Sequence, residues 1–121
     1  MKTVPASVLP YKRTPDFTEH TVPAGLLRSH NTKEGVWGKI VVLEGSLLYR
    51  ILQPTIEEVL LTPETHGVVE PTVKCEVVPF PEVRFCVDFH RAKVALQLVA
   101  SGDRRGSHGY RPSSFASAVV P

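Results

Sequence analysis

The side chains best able to do chemistry crowd into residues 70 to 91. Along Arg84-Phe85-Cys86-Val87-Asp88-Phe89-His90, strand alternation puts Arg84, Cys86, Asp88 and His90 on one face and Phe85, Val87 and Phe89 on the other. Upstream, residues 79 to 82 read as a loop, so Val78 is expected to pair with Val83 in an antiparallel hairpin that sets Cys75 opposite Cys86. If the polar face points into a barrel, Cys75, Asp88 and His90 converge on a pocket, and a histidine from another strand would complete a metal site. If the Phe85, Val87, Phe89 face is the core instead, Arg84, Asp88 and His90 lie in water and no chemistry follows. Periodicity leaves both readings open. The cysteine pair likewise reads either as two buried thiols acting as small apolar groups or as a pair close enough to bridge.

His30 is the candidate for the remote ligand, because it ends an apolar stretch containing Leu26 and Leu27 and precedes a polar turn. His20, His66 and His108 read as surface residues. Other chemistries lack their motifs: there is no Gly-rich phosphate loop, no nucleophile elbow, no CxxC and no HExxH. Glu57 and Glu58 are adjacent, hence on opposite faces of a strand. No catalytic residue is assigned.

The elements that must position these residues are short. Eleven prolines, eight glycines and brief runs of Val, Ile, Leu and Thr predict an all-β fold with little helix. Strands are expected at residues 24–30, 37–43, 47–52, 57–61, 67–70, 72–78 and 83–90, with a tight hairpin at Glu44-Gly45-Ser46. That count suits a sandwich, jelly roll or small barrel. Residues 1–22 read as an extended arm and 23–100 as the barrel domain. Within it, residues 92–100 form a last strand or short helix, and 101–121, with Arg104, Arg105 and Arg111, are expected to be a poorly ordered, solvated tail.

A chain of 121 residues with 42% hydrophobic and 21% charged residues fits one globular domain. A net charge of +2 without a basic-aromatic face argues against nucleic acid, and no apolar run approaches membrane-span length. Prolines 5, 10 and 15 interrupt any signal-like start, so a cytoplasmic location is expected, where two cysteines do not imply a disulfide.

Several stretches carry a resemblance. Residues 10–17 (PYKRTPDF), 23–38 (PAGLLRSHNTKEGVWG), 42–45 (VLEG), 70–77 (EPTVKCEV) and 83–91 (VRFCVDFHR) resemble, in order, the tellurite-resistance TehB/YeaR-like domain family. The resemblance implies a cupin-like, double-sheet jelly-roll barrel. Some members of the family are linked to tellurite resistance or to nitrate and nitrosative stress, and cupin sites commonly hold a divalent metal. Carried over, His30 matches the histidine opening the family's first motif, Cys75 a position usually histidine, and Asp88 an acidic position of the final strand. Position 32 is Thr where larger cupins have a second histidine. The resemblance thus implies a metal site of His30, Cys75 and Asp88, suited to zinc or iron, with Cys86 as a resolving thiol.

The expectation drawn is a metal-binding cupin-like protein that binds or modifies a small molecule or oxyanion under chemical stress. Its alternatives are a non-catalytic metal or thiol sensing module and a metal-free homodimer joined by strand edges.

Overall fold

The computed structural model describes residues 1–92. Within them the fold is all-β, two antiparallel sheets with one 3-10 turn and no α-helix. The strands are β1 (Val8–Arg13), β2 (Phe17–Thr18), β3 (Trp37–Glu44), β4 (Leu47–Ile51), β5 (Glu57–Leu61), β6 (Gly67–Val69), β7 (Cys75–Pro79) and β8 (Arg84–Ala92). The larger sheet runs β1-β8-β3-β6, with β2 also on β8; the smaller runs β5-β4-β7. Residues 8–13 and 17–18, inside the expected arm, therefore hydrogen-bond to β8. The expected strand or helix at 92–100 and the tail at 101–121 lie outside the described residues, Ala92 excepted. No described helix is long and apolar enough to cross a membrane.

The core lies between the sheets. Ile40 and Val42 of β3 and Phe85, Val87 and Phe89 of β8 meet Leu47, Tyr49 and Ile51 of β4 and Val77 of β7. Each is an alternate residue of its strand, as a one-sided sheet requires. Burying a side chain of the Leu, Ile or Phe type contributes roughly 1.5–3 kcal/mol, so this interleaved set is what holds the two layers together. The Phe face of β8 is thus the core face, and Arg84, Cys86, Asp88 and His90 belong to the outer face.

Both expected hairpins turn out to be crossings. Glu44-Gly45-Ser46 leads from β3 in the larger sheet to β4 in the smaller, and residues 80–83 lead from β7 back to β8. The two turns pack on each other: a Cβ on Gly45 would stand 2.8 Å from the Glu82 carbonyl oxygen and 3.0 Å from Val83 Cα. Gly45 also has φ +76°, so glycine satisfies both the left-handed backbone and the close approach. Because β7 and β8 lie in different sheets, Cys75 pairs with Ile51 and Cys86 with Val41, and both thiols are free. The Cys75–Cys86 register and the resolving-thiol role fall with the hairpin.

The expected strand at 24–30 is also revised. Ala24–Leu27 forms a 3-10 turn after Pro23, and only His30 reaches strand-like pairing, in an isolated bridge to Cys75.

Candidate functional site

His30 and Cys75 meet because their backbones exchange two hydrogen bonds, His30 N–H to the Cys75 carbonyl at 3.0 Å and Cys75 N–H to the His30 carbonyl at 2.8 Å. Directly opposed antiparallel residues send their side chains to the same face, here inward. Cys75 Sγ lies 3.5 Å from His30 Nε2. The other ring nitrogen, Nδ1, is 2.9 Å from the Arg28 carbonyl oxygen. A carbonyl only accepts, so Nδ1 carries the proton and Nε2 is left as an acceptor. Beside the pair, Tyr49 donates its hydroxyl proton to the Val68 carbonyl at 2.9 Å.

Electrostatics keep this cluster uncharged. Burial lowers the His30 pKa, outweighing the Arg28 carbonyl and the more distant Glu76 carboxylate, both of which favour the cation. Burial also pushes the Cys75 thiol up to about 12; Tyr49 pulls it down and Glu76 raises it further. Tyr49 is shifted upward chiefly by burial. At neutral pH the cluster is an imidazole, a thiol and a phenol.

His30 opens onto a small cavity of about 20 Å³ between the sheets. Leu26, Gly38, Ile40, Val69 and Phe89 line it along with Thr32. Its walls are otherwise apolar. Thr32 is 4% exposed and donates its hydroxyl to the Val36 carbonyl at 2.7 Å. A Cβ on Gly38 would stand 3.2 Å from Val69 Cβ, so the missing side chain helps keep this space open.

Asp88 does not join the cluster. It lies on the outer face of β8, where Arg13 grips it through Nε–Oδ1 at 2.5 Å and Nη2–Oδ2 at 2.8 Å and holds its carboxyl below the usual range. His90 shares that outer face, with Nδ1 3.2 Å from the Asp88 carbonyl oxygen. His20 and His66 are exposed, and His108 is outside the described residues. Among the described residues no group of three or more His, Cys, Asp and Glu is arranged to hold a metal ion. Sequence reasoning passed over Tyr49; its signal was a polar-tipped aromatic at an inward strand position, where the hydroxyl must find a partner.

The TehB-like domain model matches residues 12–87. The chain belongs to the TehB-like domain family. Two curated relatives are similar to it: the probable S-adenosyl-L-methionine-dependent methyltransferases TehB of Haemophilus influenzae strains ATCC 51907 (KW20, Rd) and 10810. They are 42% and 38% identical over 59 residues, 46% of this chain and 21% of each relative. The match thus spans about a fifth of the relatives' length. The crystal structure of TehB from Haemophilus influenzae superposes with TM-score 0.68 and 26% identity, covering 96% of this chain and 37% of that one. A crystal structure of a protein from E. coli K12 superposes with TM-score 0.69 and 22% identity, covering 76% of this chain and 98% of that one.

These findings correct the function expected from the sequence. The relatives are named as methyltransferases that use S-adenosylmethionine, not as metal-binding cupins. The zinc or iron cofactor expected on His30, Cys75 and Asp88 is overturned with that function. The physical reason lies in the geometry: the Asp88 carboxylate stands on the far face of the sheet, gripped by Arg13, so that among the described residues His30 and Cys75 have no third donor beside them.

Proposed function

We propose that the chain is a small-molecule-binding module of the TehB type, holding its ligand in the cavity between the two sheets and serving methyl transfer of the kind its relatives are named for. One observation carries this reading: an apolar cavity with a single polar end, formed by His30 and Thr32, inside a fold that matches nearly all of one solved chain and about a third of another. The two sheets are taken as a jelly roll closed around that cavity. A cytoplasmic setting, in which Cys75 and Cys86 stay reduced, belongs to the same reading.

S-adenosylmethionine itself does not fit this cavity. Adenine, ribose, sulfonium and an amino-acid carboxylate need more room than one small apolar cavity gives and more polar partners than two side chains. On this reading the module holds a small partner of the reaction, and the cofactor is bound elsewhere in a TehB-type enzyme.

Two-dimensional NMR of the full chain under xenon pressure and with dissolved ethane tests the cavity. Shifts should concentrate at Leu26, Val69, Val87 and Phe89 and shrink in Gly38→Ala, where a methyl group occupies part of the space. S-adenosylmethionine should leave those signals in place. Absence of any cavity response, or a response to S-adenosylmethionine there, would overturn the proposal.

A further inference from the structure

We infer that the polar end of the cavity only accepts hydrogen bonds, so that its ligand is a small uncharged molecule carrying one S–H or O–H donor, a thiol or alcohol, and not an oxyanion. This rests on the reading of the cavity as a binding site and adds the chemical class of what enters it.

Every strong donor at that end is already committed to the backbone. His30 Nδ1–H points at the Arg28 carbonyl, Thr32 Oγ1–H at the Val36 carbonyl and Tyr49 Oη–H at the Val68 carbonyl. Because a carbonyl cannot donate, these directions are fixed by chemistry. What remains are lone pairs on His30 Nε2 and Thr32 Oγ1. The Cys75 thiol, 3.5 Å from Nε2, is a weak donor that a better one can displace.

An oxyanion entering here would meet lone pairs and hydrocarbon with no donor to replace its water, and burying an unpaired charge is costly. An ammonium ion fares no better. No carboxylate lines the cavity, and Glu76, next to Cys75 in sequence, is bonded to Arg50 on the outer face of the smaller sheet. A neutral molecule with an apolar body and a single donor satisfies both the walls and Nε2.

Methanethiol and ethane, close in size and differing in one donor, make the test. Their affinities are measured by NMR titration of the full chain, alongside nitrate and acetate. The methanethiol-to-ethane affinity ratio should fall about fivefold in His30→Phe, the effect of losing one ordinary hydrogen bond. It should rise in Cys75→Ala, where Nε2 has lost its thiol partner. If His30→Phe fails to fold, the direction of change in Cys75→Ala decides alone. A ratio unchanged in the variants that fold, or cavity shifts with nitrate or acetate, overturns the inference while leaving the cavity reading intact. No cavity response to xenon, ethane or methanethiol removes both.

Discussion

Cys75 decides between redox or metal chemistry and quiet packing, and its protonation can be measured directly. It is 1% exposed, and burial holds its thiol at about 12. At pH 8 a thiol titrating there is ionised in about one molecule in ten thousand, whereas an unperturbed thiol, near 8.5, is ionised in about one in four. The thiolate is the nucleophile, so alkylation should be slower than in a short peptide by about three orders of magnitude, before access is considered. The assay is iodoacetamide labelling of a Cys86→Ala variant, so that only one thiol is counted, read by intact-mass spectrometry. A rate within tenfold of the peptide's would show a stabilised thiolate and refute the reasoning.

The same shift has a thermodynamic counterpart. The folded-state pKa of Cys75 is raised, so the folded chain keeps a proton that the unfolded chain gives up above about pH 8.5. Its contribution is fully present below that pH and is lost as pH rises toward about 12. Urea midpoints should therefore fall more steeply between pH 8.5 and 10.5 in the native chain than in Cys75→Ala, at up to about 1.4 kcal/mol per pH unit. Parallel slopes would place the thiol's pKa near its ordinary value.

Two further perturbations test the scaffold. Gly45→Ala should cost about 2–5 kcal/mol, combining a left-handed backbone with a forced shift of the Glu82–Val83 backbone, while Gly35→Ala, at φ +80° with nothing within 4 Å of the new methyl, should cost about 1–2 kcal/mol. Equal losses in urea melts would mean the two crossing turns do not press on each other. Asp88 has a lowered folded-state pKa, so its bond to Arg13 stabilises above about pH 4 and is lost as pH falls through the folded value. Asp88→Asn should cost about 1 kcal/mol or less at pH 7, and the loss should shrink as pH falls through the folded value. A loss that persists in acid would point to packing.

What the sequence reveals and what it hides follow from the range of the interactions. Alternation in β8 is a local property, so the partition of Phe85, Val87 and Phe89 from Cys86, Asp88 and His90 is readable at once. Which face turns inward depends on a second sheet that no local pattern describes. The same limit explains the turns. Gly45 announces an unusual backbone angle, but whether the chain returns along its own sheet or crosses to the other is set by a neighbour 37 positions away, Glu82, whose carbonyl leaves no room for a side chain. Residue type and family likeness single out His30 and Cys75, yet the bridge that joins them spans 45 positions. A strand through residues 24–30 would have carried His30 elsewhere; the 3-10 turn after Pro23 delivers it to the edge of β7. Chemical character then follows from burial. On an exposed edge the same imidazole and thiol would titrate near their ordinary values and exchange protons with water. Enclosed by Tyr49, Leu26 and Ile51 they are neutral, and a site that looks made for a metal becomes one that can only accept a proton donor from a small guest.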